Sequence, residues 1–188
     1  MSVSETPYHK HEKWVSLDDI EKECTLLPTD ARETTVSRAI FTSILRANGI
    51  SESRYRIHIL DHEKSLEVKH TENGDICIPL ALYRKAKTHD ALAFIFAHEL
   101  AHHINGDVES TRALLEQRDL CEAIQVRERN ADITWLDLYR KRWYDTSLAI
   151  QFVKELEKDG GTRDIETCHV DPKERLKLLA RTLPKKRK

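Results

Sequence analysis

Apolar side chains in the first part of the chain recur at the spacing of α-helices. The segment Ser16 to Asp19 has the form of a capping box, which predicts a helix from there to about Leu27. A second predicted helix ends at Asn48-Gly49, because glycine commonly follows the last turn of a helix. Its apolar stripe consists of Val36, Ile40, Ile44 and Leu45. Two helices are therefore expected in this part of the chain.

The middle of the chain changes to the alternating pattern of β-strands. Side chains from Tyr55 to Leu60 alternate and predict one strand. Two more strands are predicted over 66–69 and 75–80, joined by a turn at Asn73-Gly74. The three short strands are expected to form a small sheet.

From Thr88 onward the pattern is helical again. The predicted helices cover about 88–104, 110–141, 147–158 and 173–182. A chain with a few strands followed by a run of helices is typical of the α+β class. We therefore expect a mainly helical α+β domain, with helices packed on one side of a small sheet.

Composition and charge exclude several classes of protein. The chain has 188 residues, 39% hydrophobic and 34% charged, so a disordered or low-complexity chain is excluded. The net charge of -1 implies no bulk attraction to nucleic acid. The polar N-terminus does not resemble a signal peptide, and the longest apolar run, Ala91 to Ala97, is too short to cross a bilayer. We expect a soluble, cytoplasmic protein without a membrane partner.

The cysteines give no sign of a disulfide framework or a metal cluster. They lie far apart without a C-x-x-C pair, at Cys24, Cys77, Cys121 and Cys168. Thiols stay reduced in the cytosol, and a chain of this length needs no disulfide to fold. All four are therefore expected to be free.

Two of the ten histidines form an H-E-x-x-H motif at residues 98–102. On a helix His98 and His102 lie one turn apart and about 40° apart around the axis, so both imidazoles can reach one metal ion. Zinc favours such nitrogen ligands, and a catalytic zinc site uses three protein ligands. Glu99 is then placed to take a proton from the attacking water. The motif alone also fits two histidines on a partly exposed helix.

Glu128 is the candidate for the third ligand. It lies in the next predicted helix, which is expected to turn after Gly106 and return antiparallel to the first. Glu128 and Asp132 are four residues apart, so both can point at the histidine pair. Glu128 is expected to bind the metal, and Asp132 to accept the second N–H of a ligating imidazole. The alternative is an ordinary charged helix face.

Three ordered segments resemble the gluzincin zinc metallopeptidases of the HtpX and CAAX prenyl protease type, in peptidase family M48. The first is residues 90–102 with the H-E-x-x-H motif, and the second is residues 128–132, Glu-x-x-Ala-Asp. The third, residues 169–176, is similar to the family's C-terminal His-Pro motif before an arginine. The resemblance covers about residues 55–180. Because the chain has no spanning segment, it is most similar to the small soluble members called minigluzincins.

The resemblance implies a fold and a set of site residues. It implies a zincin-like domain that binds one zinc ion (Zn2+) per chain through His98, His102 and Glu128. It also implies Glu99 as general base and then acid, and His169 as donor to the oxyanion of the tetrahedral intermediate.

The resemblance also suggests how the chain is organised. Residues 55–182 would form the metallopeptidase domain, and the strand at 75–80 would be the edge strand along which an extended substrate binds. Residues 1–54 match nothing in the family, and we hypothesise that they cover or gate the cleft. The basic cluster 183–188 is expected to be a solvated tail.

The predicted function is that of a soluble zinc endopeptidase acting on protein or peptide substrates. One alternative is an ImmA/IrrE-like peptidase, which cleaves a regulatory protein and shares the H-E-x-x-H and Glu-x-x-Ala segments. The other is a metal-binding scaffold or regulator without turnover, which would have no need of Glu99. His103 follows His102 but is rotated about 100° around the helix, so it is not expected to join the site. Six other histidines have no spacing that indicates a ligand and are expected to be surface or strand residues: His9, His11, His58, His62, His70 and His89.

Overall fold

The computed structural model describes residues 16–107, 120–141, 144–158 and 175–177. Its helices and strands are α1 (Leu17–Glu23), α2 (Arg32–Ala47), β1 (Arg56–Leu60), β2 (Lys69–His70), β3 (Asp75–Pro79), α3 (Leu80–Lys85), α4 (His89–Ile104), α5 (Leu120–Arg140) and α6 (Thr146–Lys158). A small three-stranded sheet thus precedes the helix that carries the H-E-x-x-H motif. The predicted α+β, mainly helical class is confirmed.

The first helices begin and end largely where the sequence predicts. The side chain of Ser16 caps α1 by accepting a hydrogen bond from the Asp19 backbone N–H at 3.2 Å. The helix ends at Glu23, earlier than expected, because Leu26 forms an antiparallel bridge with Leu60 at the end of β1. After α2 the chain leaves the helix at Gly49, which has a φ of 67°.

The sheet has the order β1-β3-β2, with β1 parallel and β2 antiparallel to β3. The expectation that the strand at 75–80 lies at the sheet edge is therefore wrong, because β3 is the central strand and all five of its residues are buried. One face of β3 packs Ile76 and Ile78 into the main core. On its other face Cys77 packs with Ile20 of α1 and Leu60. Strand β2 lies at a sheet edge, on the side of β3 opposite to β1.

The main core surrounds α4, whose residues from Ala91 to His98 are all buried. On one side α4 packs against α5 and α6, where the ring of Phe94 meets Trp135 edge-on at a centroid distance of 4.8 Å. On the other side α2 contributes Ile40, Phe41, Ile44 and Leu45 to the same core. Residues of the segment 1–54 are thus part of the core that supports α4, and the gating hypothesis for that segment stays a prediction.

The N-terminus of α4 is fixed to the connection between α5 and α6. The hydroxyl of Tyr139 shares its one proton between the carbonyl oxygens of Asp90 and Asp145, each 3.1 Å away. The backbone N–H of Asp145 donates to the Asp90 carboxylate at 2.6 Å. No helix among the described residues is long and apolar enough to cross a lipid bilayer.

The expectation that every cysteine is a free thiol is wrong for Cys121. Cys24 and Cys77 are free, as expected. Cys121 is disulfide-bonded, and Cys168 lies outside the described residues. The absence of a C-x-x-C pair does not exclude a bond between cysteines that the fold brings together.

A buried carboxylate holds the sheet together. Asp75 Oδ1 accepts hydrogen bonds from Arg56 Nε at 2.7 Å and from His58 Nε2 at 2.9 Å. Its Oδ2 accepts from Arg56 Nη2 at 3.0 Å and from Thr71 Oγ1 at 2.9 Å. Burial alone would raise the pKa of Asp75, but the hydrogen bonds from Arg56, His58 and Thr71 lower it to about 2. Asp75 is therefore ionised in the folded protein.

Asp75→Asn is expected to lower the free energy of unfolding by about 2 kcal/mol at pH 7. Because the folded pKa of about 2 lies below the unfolded value of about 3.9, this stability is present above pH 4 and is lost as the pH falls toward 2. Urea unfolding of both proteins between pH 7 and pH 2 measures the difference. A difference that stays constant over this range would contradict the assignment.

Candidate metal centre

The two motif histidines lie on successive turns near the C-terminal end of α4. Their rings are nearly perpendicular, with centroids 4.8 Å apart, and the two Nε2 atoms are 3.3 Å apart. His98 is buried, and its ring stacks on Phe94 at 6.0 Å, one turn earlier in the same helix. The local period of the helix therefore aims both imidazoles at one point, as the sequence predicts.

Glu128 comes to this point from α5, which runs in the opposite direction to α4. Its Oε1 lies 3.3 Å from His102 Nε2 and its Oε2 lies 3.3 Å from His98 Nε2. The described residues contain one group of three possible metal ligands with ligand atoms within 4.8 Å of one another, and it consists of His98, His102 and Glu128. The structure thus brings together the three predicted ligands.

The spacing of these atoms fits a tetrahedral zinc ion. Zinc binds nitrogen and oxygen ligands at about 2.0–2.1 Å, which places neighbouring ligand atoms of a tetrahedron roughly 3.3–3.4 Å apart. The two imidazole nitrogens are 3.3 Å apart, and each lies 3.3 Å from a different carboxylate oxygen of Glu128, His98 from Oε2 and His102 from Oε1. Two imidazoles and one carboxylate also form a donor set found in catalytic zinc sites.

Each imidazole has a carboxylate at its other nitrogen. His102 Nδ1 lies 2.9 Å from Asp107 Oδ2, and His98 Nδ1 lies 3.3 Å from Asp132 Oδ1. An Nδ1–H that donates to a carboxylate leaves the Nε2 lone pair free for a metal ion. The sequence indicated Asp132 but missed Asp107. Its contact depends on the turn after α4, although an acidic residue just after Gly106 was a signal that could have been used.

The charges around the three candidate ligands favour a cation. Burial disfavours the charged imidazole of His102, but its hydrogen bonds to Asp107 and Glu128 raise its pKa to about 10. Burial likewise disfavours the carboxylate of Glu128, but His102 and His98 hold its pKa well below the usual range. The site therefore holds ionised carboxylates that need positive partners, and a divalent ion can replace the protons on the imidazoles.

Glu99 lies beside the ligands but has a different partner. Its Oε2 is 2.9 Å from Nε2 of His70 in β2, and His70 Nδ1 is 3.0 Å from His103 Nε2. Burial raises the pKa of Glu99, but the hydrogen bond from His70 lowers it to about 2. His70 is not among the three possible ligands and lies in a strand, as predicted, but its contact with Glu99 was not foreseen from the sequence. His103 contacts the site through His70.

The predicted oxyanion donor His169 lies outside the described residues. Arg175, from the same C-terminal segment, reaches the site in the structure. Its Nη2 and Nε donate to Asp132 Oδ1 at 2.7 Å and 2.9 Å, and its Nη2 lies 3.0 Å from His98 Nδ1. The guanidinium also lies over the ring of Phe94, 5.6 Å from its centroid. Arg175 therefore places a positive charge beside the ligand His98.

Comparison with known proteins identifies the family of the chain. The sequence matches the family model of Peptidase family M48 over residues 30–127 of its 188 residues. The matched range begins before α2, includes the sheet and the whole of α4, and ends one residue before Glu128. Among curated proteins, none is similar enough in sequence to match the chain. The chain therefore belongs to peptidase family M48, a family of zinc-dependent proteases.

Proposed function

We propose that the protein is a zinc endopeptidase that hydrolyses peptide bonds in protein or peptide substrates. The observation that carries the proposal is the convergence of His98, His102 and Glu128 at metal-ligand spacing with a carboxylate, Glu99, beside them. Membership of peptidase family M48 supports it over an ImmA/IrrE-like peptidase.

The position of Glu99 favours catalysis over a metal-binding scaffold without turnover. Its side chain is 15% exposed, and its hydrogen-bond partner is His70, not one of the three candidate ligands. Burying a carboxylate costs free energy, and a scaffold would gain nothing from it. A peptidase needs such a group to move a proton at the reacting centre.

The proposed mechanism assigns the proton transfers to Glu99. When bound, zinc supplies Lewis acidity, which lowers the pKa of water at the site and polarises the substrate carbonyl. A carboxylate oxygen of Glu99 takes a proton from the attacking water and then gives it to the nitrogen of the leaving amine. His169 is proposed, from the family resemblance, to donate a hydrogen bond to the oxyanion.

An extended substrate is proposed to bind along β2, because β2 lies at an edge of the sheet whereas β3 is its central strand. Its residue His70 reaches Glu99, so a peptide paired with β2 would pass the proposed base. Main-chain hydrogen bonds of this kind give affinity with little side-chain selectivity.

Zinc content and cleavage of a denatured protein test the proposal. Purified wild-type protein is expected to hold one zinc per chain and to cleave casein at internal bonds. A chelator is expected to stop the cleavage, and added zinc to restore it. His89→Ala, at the exposed start of α4, is the matched control and should keep both properties. A fully zinc-loaded protein that cleaves no denatured or folded protein would instead support a scaffold.

A further inference from the structure

We propose that His70 is the positioning residue for the general base. Its Nε2–H holds Oε2 of Glu99 and leaves Oε1 as the oxygen that exchanges the proton. This inference rests on the proposed function, because it concerns the orientation of a carboxylate whose role is proposed above. It adds a residue from the sheet to a site whose other members lie on helices.

The contact between the two side chains is short and shielded from water. His70 Nε2 and Glu99 Oε2 are 2.9 Å apart, and their side chains are only 9% and 15% exposed. A hydrogen bond to an ionised carboxylate is among the stronger kinds in proteins, and burial strengthens it further. Glu99 can rotate about three side-chain bonds, so a fixed donor on one oxygen limits where the other oxygen lies.

A second histidine determines which nitrogen of His70 carries the proton. His70 Nδ1 lies 3.0 Å from His103 Nε2, and the two ring centroids are 4.9 Å apart. A neutral imidazole carries its proton on one nitrogen only. If His70 Nε2–H donates to Glu99, then His70 Nδ1 is an acceptor, and it can accept a hydrogen bond from Nε2–H of a neutral His103. The ring of Tyr55 packs on His103 at 5.5 Å and holds it in place. His103 thus keeps the His70 proton on the side of Glu99.

The sheet places His70 at this point. In the antiparallel pair of β2 and β3, His70 lies opposite Ile76, and the turn between the strands contains Gly74 with a φ of 82°. A side chain at Gly74 would collide with the carbonyl oxygen of Arg54. The turn at Gly74 and the backbone pairing of β2 with β3 therefore set the register that presents His70 to Glu99. The strand that carries His70 is also the strand along which the substrate is proposed to bind.

Steady-state kinetics of His70 variants test the inference. His70→Ala is expected to lower kcat about 10- to 100-fold, the value of one hydrogen bond to a charged group, with KM and zinc content unchanged. His70→Gln can still donate through its amide and should recover kcat to within about fivefold of wild type. The control His89→Ala should match wild type. Equal kcat values for wild type and His70→Ala would overturn the inference.

The interaction with His103 gives a second kinetic test. Because His103 is inferred to act through His70, His103→Phe should lower kcat in the wild-type background and have no further effect in His70→Ala. Independent effects that multiply in the double variant would overturn that part of the inference. If Glu99→Gln keeps its activity, the proposed function itself fails. If Glu99→Gln is inactive but His70→Ala is fully active, the proposed function stands and only the role of His70 is overturned.

A spectroscopic test does not depend on turnover. In zinc-loaded protein with 15N-labelled histidine, the Nε2–H of His70 should give a downfield-shifted proton resonance that is absent in His70→Gln. Glu99→Gln replaces the charged acceptor with a neutral one, so the same resonance should move upfield. No such resonance, or one that Glu99→Gln leaves unchanged, would show that the hydrogen bond is not made.

Discussion

Glu99→Gln is expected to lower kcat for peptide hydrolysis by about 10²- to 10⁴-fold while the protein stays folded and keeps its zinc. The amide has the shape of the carboxylate and can still contact His70 Nε2, which lies 2.9 Å from Oε2 of Glu99. It cannot take a proton from water at neutral pH, so the attack and the protonation of the leaving amine both lose their proton carrier. The effect is expected in kcat rather than KM, because the substrate contacts are unchanged.

A fluorogenic peptide, a zinc determination and a thermal melt on the same preparation measure the three expected properties. Glu72→Gln makes the same chemical change at an exposed position in the turn before β3, and it should behave as wild type. Loss of zinc together with activity in Glu99→Gln would mean that Glu99 acts through the metal rather than as a base. Activity within a few-fold of wild type would remove Glu99 from the mechanism.

The parts of the site that follow from helical periodicity were predictable from sequence. His98 and His102 share a face of α4 because they are four residues apart, and this holds wherever the helix lies. The same spacing on α5 brings Glu128 and Asp132 to His98 once the two helices are antiparallel neighbours. Each of these inferences needs only the periodicity of side chains within one helix and the packing of α4 against α5.

The contact of His70 with Glu99 was not predictable in this way. It depends on the strand order: β1 pairs with β3, and β2, which lies between them in the chain, joins the opposite side of β3. The wrong assignment of the edge strand has a related cause. β3 is central because β1 and β2 pair with it on opposite sides, and no pattern within residues 75–79 reveals those two partners.

Zinc is expected to stabilise the folded protein by about 4 kcal/mol when its free concentration is about 1,000 times the wild-type Kd. The ligands come from two different helices, so the ion links α4 to α5 in the folded state and finds no preformed site in the unfolded chain. For a domain of this size the increase corresponds to a rise in Tm of roughly 8–16 °C. Thermal or urea unfolding with and without zinc measures it.

Glu128→Ala should reduce this stabilisation to below about 1 kcal/mol at the same free zinc concentration, because a two-histidine site is left after the carboxylate is removed. Glu122→Ala, at an exposed position of the same helix, is the matched control and should respond to zinc as wild type does. Glu128→Ala also removes a partly buried negative charge beside two imidazoles, so its stability without zinc is expected to change as well. The zinc-dependent difference within each variant is therefore the quantity to compare. An equal response of Glu128→Ala and Glu122→Ala would place the bound zinc away from His98 and His102, and the proposed peptidase mechanism would lose its metal.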